Sequence, residues 1–261
     1  MYHLTLSAER RRTICPSTAL LRRGVRVIDK VVGSEALLFS LVDDHVHVVV
    51  RCSRSRAGYL GSGLRQAFAR LSPDRPLRAA YVRPVEGRSH LVHLATDYIA
   101  KQPAKHGLAA HPALYEGGCF QDLLKARLLD HFRGTLLAEE LPRFRLREVF
   151  PTLGLEKDPV PPVEVANLPP LGAARLAEAA RAAFATDALG RSGPALWARR
   201  TAAVLARRAG LPLAALSQAL DVPLRTLQRD ARSEAPGLPI AVVLQRLGLE
   251  QRCATRNRTS T

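Results

Sequence analysis

The sequence predicts an α+β protein in two parts, an antiparallel sheet carrying helices followed by an all-α domain, and three observations support this. Short apolar runs with strand-like alternation fall within residues 1 to 101, and alanine-rich helical segments fill residues 171 onward. Between them lie six prolines, Pro151, Pro159, Pro161, Pro162, Pro169 and Pro170. That proline density favours extended backbone and forbids a continuous helix or a central strand. The expected organisation is therefore a first domain over 1–150, a linker over 151–170, a helical domain over 171–250 and a polar, basic tail over 251–261.

The first domain reads element by element. Tyr2 to Leu6 alternates like a strand, and Pro16 to Val32 carries apolar residues at helical spacing with Pro16 near the first turn. Glu35 to Val42 and His45 to Cys52 are apolar strands around Asp43-Asp44, a polar break that suits a hairpin. After a glycine-punctuated loop, Gly63 to Leu71 reads as a helix, Leu77 to Val85 as a fourth strand, and Ser89 to Lys101 as a longer helix stopped by Pro103. The order β-α-β-β-α-β plus a helix is the split β-α-β pattern of ferredoxin-like sheets, whose helices cover one face and leave the other for a site.

Composition narrows the partners. The chain of 261 residues has 39 Lys and Arg against 23 Asp and Glu, a formal charge of +16, which favours polyanions. The charge is clustered: residues 191 to 261 hold twelve Arg against four acids, pointing to nucleic acid before membrane. Cys15, Cys52, Cys119 and Cys253 form no C-x-x-C pair, which suits a reducing compartment. The start MYHLTLSAERRR has no apolar leader core, and no window approaches the roughly 18 to 20 apolar residues of a membrane span, so a cytoplasmic protein is expected.

One constellation carries chemistry. His45 and His47 are two apart within a strand, so both imidazoles project from one face, where they can grip one divalent metal or merely decorate a half-buried strand. Tyr98 and Gln102 are four apart near the end of the last helix, which places a phenol and an amide oxygen on one helical face. His45, His47 and Gln102 can supply three ligands to Mg²⁺ or Mn²⁺, leaving open positions for a substrate phosphate. Tyr59 and Tyr81 lack an amide four residues on; Tyr81 reads as a packing residue in a strand, Tyr115 as structural, and His90 and His93 as polar surface.

These residues resemble the single-tyrosine HUH transposases and, among them, the REP-associated tyrosine transposases. The resemblance rests on Tyr2-His3-Leu4-Thr5, on Asp44-His45-Val46-His47-Val48-Val49-Val50, and on Tyr98-Ile99-Ala100-Lys101-Gln102-Pro103 followed by Gly107-Leu108, and it covers roughly residues 1 to 130. Gln102 stands where many of these proteins have Asn, and Val42-Asp43 where they have Met-Pro. The resemblance implies a nuclease and strand transferase acting on single-stranded or hairpin DNA. Tyr98 is then the nucleophile, a metal is bound by His45, His47 and Gln102, and a 5′-phosphotyrosine is the intermediate. A phenol is poorly ionised at neutral pH, so Lys101, Lys105 or the metal has to assist it. It further implies that a homodimer sharing the tyrosine helix is compatible with the sequence.

In the second part, Leu213 to Arg229 reads as two helices about a tight turn, with Pro223 set for the first turn of the second. That helix would present Arg225, Thr226, Gln228, Arg229 and Arg232 to a major groove. With the preceding Trp197 to Leu205 helix and Leu171 to Ala185, it resembles the duplex-binding domain of the bacterial initiator DnaA. Two other functions stay open: a non-catalytic DNA-binding regulator working through the helix-turn-helix, and a plasmid replication initiator, although no ATPase-type partner domain is visible.

Overall fold

A computed structural model describes residues 1–109, 111–142, 160–187, 190 and 193–259. The chain is α+β and divides into two compact units, one of Met1–Leu124 with Leu129–Pro159, the other of Lys125–Leu128 with Val160–Thr261. Among the described residues no helix is long and apolar enough to cross a membrane.

The first unit is built on four antiparallel strands, β1 (Tyr2–Ser7), β2 (Ala36–Leu41), β3 (His45–Val50) and β4 (Tyr81–Pro84), in the order β2-β3-β1-β4. The expected hairpin forms, with β2 and β3 in register from Leu38↔Val49 to Leu41↔Val46. The first helix, α1 (Thr18–Val32), starts behind Ser17, whose hydroxyl accepts from the Leu20 amide and satisfies one free donor of the first turn. The second, α2 (Arg54–Leu71), begins nine residues before the expected Gly63. Ser53 caps it through the Arg56 amide, so what read as a glycine-rich loop is helix. Its glycines serve packing: a Cβ on Gly61 would stand 2.5 Å from Ala80 Cβ, so only glycine lets the helix lie this close to the chain leading into β4. The fourth strand is shorter than expected, because Leu77 makes only an isolated bridge to Ala8.

The expected helix over Ser89–Lys101 is interrupted. It consists of α3 (Gly87–His93), a π turn over Leu94–Tyr98 and, after a turn, α4 (Gln102–Lys105) with Pro103 in its first turn. The Ile99 amide donates to the Leu94 carbonyl, five residues back, and Pro103 lacks the amide hydrogen that an unbroken helix would use. Two short helices follow, α5 (Phe120–Leu123) and α6 (Thr135–Glu140). Tyr115 is buried with its hydroxyl donating to the Leu41 carbonyl, the structural role expected of it.

The second unit is helical: α7 (Gly172–Ala183), α8 (Gly193–Arg208), α9 (Leu213–Leu220), α10 (Leu224–Ala231) and α11 (Gly237–Thr259). Its core is alanine-rich around Leu176, Phe184, Leu205, Leu216 and Leu247. Two expectations about its borders change. Residues 160–170, assigned from their prolines to a linker, pack on this unit: Leu168 is buried, the Val163 amide donates to the Leu244 carbonyl, and a Cβ on Gly248 would meet the Pro161 carbonyl at 2.1 Å. Residues 251–259, assigned to the tail, continue α11. Residues 151–159 of the expected linker lie outside the described residues.

Candidate functional site

Strand alternation separates the two faces of the sheet. Leu4, on one face, lies against Gly61 of α2. The other face is polar: β1 and β3 pair with Thr5↔His47 and Ser7↔His45, and β2 adds Ser40 opposite His47. His45 and His47 therefore share a face as expected, with ring centroids 4.5 Å apart. The π turn brings Tyr98 over the same face, its ring centroid 5.2 Å from that of His47 and 5.9 Å from that of His3. Tyr98 is 38% exposed, so its phenol is open to a ligand while its ring rests on the histidines.

Gln102 does not continue the helix that carries Tyr98, as the expected spacing required. The chain turns between Ile99 and Gln102, and Gln102 opens a new helical turn whose far end is His106. The His106 amide donates to the Gln102 carbonyl, and the His106 ring meets His45 at 5.2 Å between centroids. Gln102 is 3% exposed, and its Oε1 has no hydrogen-bond partner. Among the described residues of this unit two other buried atoms share that condition, His47 Nε2 and the Oγ of Ser40. A buried polar group without a partner is expensive, on the order of 1–3 kcal/mol each, and is rarely left so without a use.

Each histidine is oriented by a neighbour. His45 Nδ1 lies 2.6 Å from Asp44 Oδ1, which leaves its Nε2 for a ligand. His47 Nδ1 lies 3.1 Å from His3 Nε2 and 3.4 Å from Thr5 Oγ1. Burial, reinforced by His45, His3, His106 and Lys105, holds the His47 pKa down to about 2. Burial, with His90 and Arg83, holds that of His3 to about 4. Both rings are thus neutral at physiological pH, the form in which imidazole binds a metal. Burial, the largest single influence on Asp44, would raise its carboxyl, but the hydrogen bond with His45, the nearby His45 and His106 and a backbone hydrogen bond together outweigh it, and the pKa lies below the ordinary value. Lys101, one candidate to assist Tyr98, is engaged with Asp97 at 2.6 Å.

The donors present fit a divalent cation. His45 and His47 offer ring nitrogens and Gln102 an amide oxygen, a mixed nitrogen and oxygen set compatible with Mn²⁺ or Mg²⁺. Among the described residues no three His, Cys, Asp or Glu side chains are arranged to hold a metal, and the set named here includes an amide oxygen. Sequence reasoning missed the parts played by His3 and His106. The signals were available, since His3 alternates onto the same face of β1 as Thr5, and His106 lies four residues after Gln102.

Beside this cluster, a cleft of about 570 Å³ opens between β4 and α3. Tyr81 lies in it 65% exposed, so of the two packing roles expected of it, in a core or at an interface, the core one is excluded, because β4 is an edge strand. His90 and His93 also line it.

In the helical unit, α9 and α10 are joined by a turn in which Asp221 is left-handed with φ 53°, a conformation Asp tolerates. The Ser217 hydroxyl donates to the Val222 carbonyl at 2.6 Å and closes the turn. Leu216, Leu220 and Leu227 are buried, whereas Arg225, Gln228, Arg229 and Arg232 are exposed and Thr226 is half-buried. Thr226 and Arg229 line, with Arg200, a cleft of about 760 Å³.

Comparison of the chain with family models, with curated proteins and with solved structures finds no match in any of the three.

Proposed function

We propose that the chain is a metal-dependent single-strand DNA endonuclease and strand transferase that cuts through a 5′-phosphotyrosine on Tyr98. The observation that carries this is the buried, unpartnered His47 Nε2 beneath a half-exposed Tyr98 ring, together with a second buried, unpartnered atom, Gln102 Oε1, on the short helix whose His106 meets His45. The strand order β2-β3-β1-β4 supports reading the first unit as a ferredoxin-like sheet of the HUH kind, with its polar face as the active face.

His45, His47 and Gln102 would hold Mg²⁺ or Mn²⁺. When bound, the cation withdraws charge from the scissile phosphate and from the departing 3′ oxygen. Asp44 and His3 fix the two imidazoles, so little reorganisation is needed when a ligand arrives. Tyr98 attacks phosphorus through its phenolic oxygen: the Tyr98 Oη–P bond forms, the P–O3′ bond breaks, and the 3′ oxygen leaves to be protonated. The phosphodiester energy is kept in the covalent link, so a second 3′-hydroxyl can reverse the step and rejoin the strand. Lys105, close enough to His47 to oppose its protonation, is the remaining lysine candidate to favour the phenolate.

The helical unit supports a duplex-binding role. Its α9–turn–α10 geometry suits a helix-turn-helix, with Arg225, Gln228, Arg229 and Arg232 outward to reach bases and phosphates, and Thr226 at the edge. The same observation supports the second reading, a regulator that binds duplex DNA without cutting.

Incubation of the full chain with a 3′-labelled hairpin oligonucleotide and Mn²⁺ separates the two. The nuclease predicts a denaturation-resistant protein–DNA adduct that Tyr98→Phe abolishes and His47→Ala lowers by about two to three orders of magnitude. An adduct that persists in Tyr98→Phe overturns the assignment. Absence of adduct in the parent, with duplex binding lost in the Arg225→Ala/Arg229→Ala variant, favours the regulator.

A further inference from the structure

The cleft between β4 and α3 is not needed for the chemistry above, yet it is continuous with it. Thr5 pairs with His47 on one side and with Tyr81 on the other, and His3 pairs with Arg83, so Tyr81 and Arg83 share the polar face of His47. Tyr81 stands two strands from His47 in the same cross-strand row, about 10 Å away at the usual strand spacing. α3, which carries His90 and His93, forms the opposite wall and leads through the π turn into Tyr98.

The lining has one chemical character. Arg78 and Arg83 are exposed, Tyr81 and Tyr98 present rings, His90 and His93 present imidazoles, and no carboxylate lines the cleft. Neither Arg78 nor Arg83 has an ion-pair partner among the described residues. An exposed ring flanked by uncommitted guanidinium groups suits a ligand that is planar, aromatic and anionic at once. A duplex buries the faces of its bases in its own stack, whereas an unpaired nucleotide offers both a free base face and a phosphate. In a chain with five tyrosines and one tryptophan, an aromatic ring exposed on the active face is a scarce feature.

We propose that this cleft is a subsite for an unpaired nucleotide flanking the scissile phosphate, with the Tyr81 ring stacking on its base and Arg78 and Arg83 holding the adjoining phosphates. The subsite deepens the nuclease reading, because it selects single-stranded over paired DNA next to Tyr98. His90 Nδ1 accepts from the Glu86 amide at 3.2 Å, so the start of α3 is fixed and the wall is preformed.

The test uses the full chain carrying Tyr98→Phe, in the presence of chelator, so that neither cutting nor metal contributes. Binding of a fluorescein-labelled mixed-sequence single strand is followed by anisotropy. Tyr81→Ala should weaken binding roughly 5- to 150-fold, the range expected for loss of one base–aromatic stack, and Tyr81→Trp should restore it. Arg83→Gln should reduce the slope of log affinity against log salt by about 0.7. A series of strands each with one abasic position should contain one that binds the parent and Tyr81→Ala equally, which identifies the stacked nucleotide. Tyr81 is mostly exposed, so its replacement leaves the fold intact. Tyr81→Ala binding within twofold of the parent, or a loss equal for single strand and blunt duplex, overturns the subsite. The two readings fail separately: weakened binding in Tyr81→Ala with no adduct in the parent keeps the subsite and removes the nuclease. Normal binding in Tyr81→Ala with a Tyr98-dependent adduct does the reverse.

Discussion

The sheet unit and the helical unit bury polarity in opposite ways. All eight histidines and all five tyrosines belong to the sheet unit, where Ser40 and His47 lie buried on the polar face of the sheet and Gln102 lies buried in the short helix α4, each with an unpartnered atom. The helical unit has an alanine-rich core and a buried ion pair, Arg199 to Asp230 at 2.5 Å. It too has unpartnered buried atoms, Arg200 Nε and Thr201 Oγ1, but these are consecutive residues on α8 and point about 100° apart. Ser40 and His47, by contrast, are directly opposed across two strands. Convergence, more than the number of unsatisfied groups, distinguishes a site from an imperfection.

The sharpest way to break this comparison is through the ion pair. Arg199→Ala leaves the Asp230 carboxylate buried without its partner, a change that typically costs about 3–5 kcal/mol. Trp197, the chain's one tryptophan, lies on α8 of the same unit, so its fluorescence reports this loss in urea unfolding. The metal-dependent adduct of the sheet unit should survive. A matched Arg199→Met/Asp230→Leu pair should recover most of the stability, since the ion pair is then replaced by apolar packing.

Acid should divide the units the other way. His3 and His47 have folded-state pKa values of about 4 and about 2, both below the ordinary 6.5. The folded chain therefore refuses protons that the unfolded chain accepts below pH 6.5. Their contribution is complete above that pH and is lost as the pH falls, toward about 4 for His3 and about 2 for His47. At pH 5 the loss is about 2 kcal/mol for each histidine. Near-ultraviolet dichroism of the tyrosines should show an earlier urea transition at pH 5 than at pH 7.5, while the Trp197 transition moves little. Equal movement of both signals would remove the distinction between the units.

Much of this arrangement was legible in the sequence, and the exceptions share a cause. The strands of the first unit and the faces of His45 and His47 follow from a period of two, which depends on local geometry alone. The start of α2 was missed because Gly58, Gly61 and Gly63 argue against a helix locally, whereas the close approach of Ala80 to Gly61 is a tertiary fact. Tyr98 and Gln102 were expected to share a helical face, yet Tyr98 ends a π turn over the sheet and Gln102 starts a second helix, because Pro103 breaks the ladder that the spacing assumed. Residues 160–170 read as a linker because proline density predicts extended backbone, and extended backbone also packs when, as at Gly248, the facing helix leaves room. His3 was invisible as part of the site because its partner, His47, is 44 residues away and only strand pairing joins them.

His3 also offers the finest test. The contact between His3 Nε2 and His47 Nδ1 admits two tautomers. If His47 carries its proton on Nδ1 and donates to His3, its Nε2 lone pair is free for a metal. If His3 donates instead, His47 Nε2 bears a buried proton with nothing to receive it, since that atom has no partner. The proposed metal binding would select the first arrangement, with His3 as the acceptor that fixes it. His3→Phe keeps a planar aromatic ring, somewhat larger than the imidazole, but removes that acceptor, leaving Thr5 Oγ1 at 3.4 Å as the substitute. The expected result is a Mn²⁺ affinity about 10- to 100-fold weaker by titration calorimetry. At pH 5 the same substitution should stabilise the sheet unit, because a histidine that resists protonation has been removed. A residue that only fills space would leave the metal affinity at the parent value, so opposite shifts in metal affinity and acid stability identify His3 as a positioning residue.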